Sequence, residues 1–96
     1  IKYDFSNNDY NAVAEEYAGT PYGDNLATFG NFNRTGGGTS WADDTMIEAI
    51  AFILDSGGFV TDDGQKYIVT VVTYNGATVT EDFSLIREAG EWVMNN

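Results

Sequence analysis

The last third of the chain carries its clearest pattern, the succession KYIVTVVTY, NG, ATVTEDFSLIRE, AG and EWVMN. The two long runs are rich in β-branched and aromatic residues, and the pairs Asn75-Gly76 and Ala89-Gly90 interrupt them. Asn-Gly between two such runs marks a type I′ hairpin, because both central residues of that turn need positive φ. The pattern predicts an antiparallel three-stranded meander. With a two-residue loop at Asn75-Gly76, Tyr74 faces Ala77, Val72 faces Val79 and Ile68 faces Phe83; the second turn sets Leu85 against Met94 and Arg87 against Trp92. One face then carries Ile68, Val72, Val79, Phe83, Leu85, Trp92 and Met94, interrupted by Thr70 with Glu81 and by Arg87. That face is expected to pack. The other, with Tyr67, Val69, Val71, Thr73, Thr78, Thr80, Asp82 and Ser84, is expected to meet solvent.

Upstream the period changes. Ile1–Phe5 alternates and reads as a short edge strand. Ser6, Asn7 and Asn8 offer N-cap side chains for a helix over about Asp9–Ala18, with Tyr10, Val13, Ala14 and Tyr17 as its apolar stripe and Gly19 as its C-cap. Thr20–Thr39 holds one proline, five glycines and three asparagines, and reads as a long irregular loop. Tyr22, Leu26, Phe29 and Phe32 punctuate it at intervals that pin it to the body. Ser40 followed by Asp43 resembles a capping box opening a second helix, Trp41–Asp55, with Met46, Ile47, Ile50, Ile53 and Leu54 inward. Gly57-Gly58 ends that helix, and Asp62-Asp63-Gly64 makes a turn into the meander. The predicted fold is therefore α+β: two helices on one face of an antiparallel three- to four-stranded meander sheet, in the order β-α-loop-α-β-β-β.

Composition narrows the chemistry. The 96 residues make one domain, 1–96, with enough apolar residues (43%) to bury a core without staples. No cysteine and no histidine occur, which excludes disulfides, thiol nucleophiles, thiolate or imidazole metal sites and the Ser-His-Asp triad. Fifteen acidic residues against four basic ones give a net charge of −11, a field that repels phosphate backbones and anionic membrane surfaces. Nucleic acid is not an expected partner, nor is insertion into a membrane: the longest apolar run, Ala49–Leu54, is too short to span one. The chain opens on Ile1, which we read as a segment excised or processed out of a longer protein.

The candidate chemistry is sparse. Asp62-Asp63 flanks a glycine turn but lacks the alternating ligands and closing glutamate of a calcium loop. Asp43-Asp44 suits the positive end of a helix dipole. The run Asn33–Ser40 leads glycine-rich into a helix, yet it has no lysine and no preceding buried strand, as a phosphate cradle requires. Neither metal nor cofactor is expected. Tyr22, Phe29, Phe32 and Trp41 cluster around the long loop, and such aromatics beside asparagines either stack on sugar rings or anchor the loop; anchoring is the favoured reading. Glu81, a carboxylate on the packing face, is the misfit.

Asp9-Tyr10, the phenylalanine-bearing loop, Phe52-Ile53-Leu54, the stretch Gly64–Val71, Tyr74-Asn75-Gly76 and Gly90-Glu91-Trp92 together resemble a small domain near the C-terminus of Bacteroidetes surface lipoproteins. Gly57-Gly58-Phe59 departs from that pattern, where a charged or proline-containing segment would be expected. The resemblance implies a non-catalytic accessory module outside the cytoplasm. Its expected ligand is carbohydrate or another protein chain, with the exposed face and free edge of the meander as a docking surface. A cystatin-like or ketosteroid-isomerase-like domain is the alternative. That likeness implies a pocket between helices and sheet, with Glu81 or Asp82 and Tyr67 or Tyr10 as its carboxylate and hydroxyl.

Overall fold

A computed structural model describes residues 1–95, in the order β1 (Lys2–Asp4), α1 (Asn7–Glu16), α2 (Pro21–Phe29), β2 (Phe32–Asn33), α3 (Asp43–Leu54), β3 (Lys66–Tyr74), β4 (Thr78–Glu88) and β5 (Glu91–Met94). The α+β class holds. The architecture differs from the expected one in three ways: there are three helices, the sheet is mixed, and the register of the first hairpin is shifted.

The sheet runs β1-β3-β4-β5, with β2 also on β3. Strands β3, β4 and β5 form the antiparallel meander, but β1 and β2 pair with β3 in parallel, end to end along one edge. Lys2–Asp4 lies against Ile68–Thr70, and Phe32-Asn33 lies against Thr73-Tyr74.

The β3–β4 register places Tyr74 opposite Thr78, Val69 opposite Phe83 and Tyr67 opposite Leu85. The loop is thus three residues, Asn75–Ala77, rather than two. Only Gly76 (φ 83°) is left-handed there, and the Asn75 N–H donates to the Ala77 carbonyl. Type I′ geometry occurs instead at Ala89-Gly90, where φ is 51° and 80°. A one-residue slip exchanges the faces of one strand relative to its neighbour. The packed face consequently carries Tyr67, Val69, Val71 and Thr73 from β3 with Phe83, Leu85 and Trp92, all buried. Ile68 and Val72 look outward, correcting the expected assignment for β3, and Val79 and Met94 stay exposed at the sheet's margin. The expected pairs Leu85–Met94 and Arg87–Trp92 are present.

Helix α1 opens with a capping box: the Ser6 hydroxyl accepts from the Asp9 N–H, and the Asp9 carboxylate accepts from the Ser6 N–H. The segment expected to be a loop contains α2. Thr20 caps it, Pro21 occupies its first turn, and Gly30 (φ 73°) closes it in the left-handed conformation. Gly23 sits inside this helix because a Cβ there would fall 2.1 Å from the Tyr17 carbonyl oxygen, so the close approach of α1 and α2 requires glycine. Helix α3 starts at Asp43 without a side-chain cap. The Ser40 hydroxyl accepts from the Gly36 N–H and hydrogen-bonds the Asn33 carbonyl instead, shaping the loop before the helix.

The core lies between helices and sheet: Val13, Leu26, Met46, Ile50 and Leu54 from the helices meet Tyr67, Val69, Val71 and Leu85. Ten of the 14 aromatic rings form one edge-to-face or tilted chain. It leads from Trp92 through Tyr67, Phe59, Tyr3, Phe5 and Tyr10 to Phe32, Trp41, Tyr17 and Tyr22. Such contacts add about 0.5–1.5 kcal/mol each beyond the burial of the rings.

Candidate functional site

Four aromatics stand outside that chain: Phe29, Phe52, Phe83 and Tyr74. Phe83 is buried beneath Arg34 and Phe52 packs partly against the core, whereas Phe29 is 66% and Tyr74 41% exposed. Phe29 and Tyr74 line one open cleft of about 380 Å³ with Asn25, Asn31, Asn33 and Thr35. No charged side chain lines it, in a protein of net charge −11.

The fold assembles the cleft from segments far apart in sequence. Asn25 and Phe29 share a face of α2 at i and i+4. The left-handed Gly30 turns the chain so that Asn31 and β2 follow at once, and β2 sets Asn33 directly opposite Tyr74. The Asn33 carboxamide is held on both sides: its oxygen accepts from the Thr35 N–H (3.1 Å) and hydroxyl (2.9 Å), and its nitrogen donates to the Thr39 hydroxyl (2.7 Å). The carboxamides of Asn25 and Asn31 have no hydrogen-bond partner within the described residues, so both are available to a ligand.

Arg34 fixes the wall of the cleft from behind. Its backbone N–H donates to the Tyr74 carbonyl at 2.8 Å, while its side chain turns inward. There Nε donates to Glu81 Oε1 (3.1 Å), Nη1 to the Trp41 carbonyl (2.5 Å) and Nη2 to Asp43, and the guanidinium lies 5.6 Å from the Phe83 ring centroid. Burial works against the charge of Arg34, but the hydrogen bonds to Asp43 and Glu81 outweigh it and raise the pKa above its ordinary value. The misfit at Glu81 is thereby explained: it lies on the helix-facing side, opposite Val71, and Arg34 neutralises it.

The sequence-predicted aromatics divide. Trp41 and Phe32 are buried, with Trp41 Nε1 donating to the Tyr22 carbonyl at 3.0 Å, and Tyr22 packs edge-on against Trp41 at 4.9 Å. These three are anchors. Phe29 alone of the four opens onto the cleft. Tyr74, Asn25, Asn31, Asn33 and Thr35 complete it. Their signal was the asparagine content of Thr20–Thr39, but only the β2–β3 pairing connects that segment to Tyr74.

Glu81 and Tyr67 are not brought together. Tyr67 pairs with Leu85 and Glu81 with Val71, a separation of about 13 Å along the strand at 3.3 Å per residue. The Tyr67 hydroxyl, moreover, is committed to Val60, accepting from its N–H (3.0 Å) and donating to its carbonyl (3.1 Å). The Tyr10 hydroxyl accepts from the Val72 N–H. Among the described residues no group of three or more acidic side chains converges as a metal site.

Comparison of the chain with protein-family models, with curated proteins and with solved structures gave no match.

Proposed function

We propose that this domain is a non-catalytic binding module of an exported bacterial surface protein, and that its ligand is an uncharged carbohydrate held in the Phe29–Tyr74 cleft. One observation carries the reading: the two aromatics most exposed among those left out of the core share a cleft with four amide or hydroxyl side chains and no charge. A pyranose ring presents apolar C–H faces and a rim of hydroxyls. Exposed aromatic rings suit the former, and the free carboxamides of Asn25 and Asn31 suit the latter. The acidic surface disfavours uronates, sulfated glycans and phosphate-bearing ligands by long-range repulsion.

The reading is tested by titrating the labelled protein with a panel of neutral oligosaccharides and following backbone amide resonances. Shifts confined to Asn25, Phe29–Thr35 and Tyr74 are expected for at least one glycan. Phe29→Ala and Tyr74→Ala should each weaken that binding by about 0.5–1.5 kcal/mol, up to roughly tenfold. No response to any member of the panel, or binding unaffected by both substitutions, rejects the proposal.

A further inference from the structure

We infer that Asn75-Gly76, at the tip of the β3–β4 hairpin, is a self-modification site at which the asparagine side chain exchanges its ammonia for water. Two steps balance the reaction. The Gly76 backbone nitrogen gives its proton to solvent base and attacks Asn75 Cγ; the new C–N bond closes a five-membered succinimide, and the carboxamide nitrogen leaves as ammonia. Water then opens the ring at one of its two carbonyls. Opening at the side-chain carbonyl restores the normal peptide bond and leaves an aspartate. Opening at the main-chain carbonyl leaves an isoaspartate, with the chain routed through the former side chain and one atom longer in the loop. Nothing is oxidised or reduced, and water is the sole co-reactant.

The structure, more than the dipeptide, selects this position. The chain has two places where an asparagine or aspartate precedes glycine, Asn75-Gly76 and Asp63-Gly64, and all four residues are exposed. At Asp63-Gly64 both reacting groups are held. The Gly64 N–H donates to the Arg87 carbonyl at 2.7 Å, and the Asp63 carboxylate accepts from the Gly90 N–H at 3.1 Å. At Asn75-Gly76 neither is held: among the described residues the Gly76 N–H and the Asn75 carboxamide make no hydrogen bond. Nothing lies within 4 Å of where a Gly76 Cβ would stand, so the loop has room to bring nitrogen and carbonyl carbon together. The cleft asparagines differ again. Asn25 and Asn31 precede the bulky Leu26 and Phe32, which crowd the attacking nitrogen, and the Asn33 carboxamide is tied to Thr35 and Thr39. Either product is ionised at neutral pH and adds a negative charge one residue from Tyr74, in the wall of a cleft lined by no charge. The chemistry at Asn75 does not depend on what that cleft binds.

The test incubates the folded chain in mildly alkaline buffer and follows it by peptide mapping with mass spectrometry. Isoaspartate is counted separately, by methyl transfer from labelled S-adenosylmethionine with an isoaspartyl methyltransferase. The mass gain of exchanging ammonia for water should appear first in the peptide holding Asn75, together with isoaspartate. Asn75→Gln, which forces a less favourable six-membered ring, should abolish both signals at that peptide. A parallel incubation in urea separates structure from sequence. Unfolding should change the rate at Asn75 little, because the fold does not restrain it, whereas isoaspartate at Asp63 should form in urea and be suppressed in the folded chain. An unmodified Asn75 peptide in the folded protein, an Asn75 rate suppressed by folding as strongly as that of Asp63, or earlier modification at another asparagine overturns the inference.

Discussion

The hydroxyl of Tyr10 accepts a hydrogen bond from the backbone N–H of Val72 at 2.8 Å, closing the one break in the parallel edge of β3. Strand β1 pairs as far as Thr70 and β2 begins at Thr73, so Val72 falls in the gap between them. Helix α1 supplies the missing acceptor. Tyr10→Phe keeps the ring against Phe5 (5.4 Å) and Phe32 (5.8 Å) but leaves this partly buried donor unpaired. A loss of about 1–2 kcal/mol is expected in urea unfolding, with faster hydrogen exchange at Val72.

The Arg34–Glu81 pair predicts an asymmetry. Arg34→Met strands the Glu81 carboxylate beside Val71 and Phe83, at a cost of about 2 kcal/mol for this half-buried position. Adding Glu81→Leu to Arg34→Met removes the orphaned charge and should recover most of the loss. Additive losses in the double variant, measured by denaturant midpoints, contradict this account.

Ala89 is the one non-glycine residue with positive φ among those described. A left-handed alanine costs about 1 kcal/mol, and asparagine is better suited to that position of a type I′ turn. Ala89→Asn should therefore stabilise the protein by about 0.5–1 kcal/mol and raise its melting temperature. No change in melting temperature would count against strain at this turn.

Alkaline pH tests the tyrosines. Burial first, and then hydrogen bonding to Asp9, pushes the Tyr3 hydroxyl up to about 12; burial and the bond to Glu48 raise Tyr17, and burial raises Tyr10. Each keeps its proton more tightly folded than unfolded. Their contribution is fully present below pH 10, the ordinary tyrosine value, and is lost as pH rises towards and beyond 12. Stability should fall over that window, and Tyr3→Phe should make the fall shallower. Ultraviolet titration of tyrosinate should show part of the absorbance change appearing only with unfolding.

Local chemistry in the sequence determined much of this protein: the capping residues of α1, the buried stripe of α3, the three meander strands, the second turn with its register, and the exclusion of histidine and cysteine chemistry. The boundary signals of α2 were there too, in Thr20, Pro21 and Gly30, but Gly23 and the glycines beyond Gly30 masked them. Gly23 records a contact with Tyr17 rather than a loop, and a contact is not legible from neighbours in sequence. The first hairpin failed differently. A loop of two or three residues suits Asn75-Gly76-Ala77 almost equally, and both faces of β3 carry apolar residues, so burial under the helices chose between registers. The cleft is likewise tertiary. Phe29 and Tyr74 are 45 residues apart, and they meet only because β2 docks in parallel on β3, a non-local pairing that no sequence period encodes.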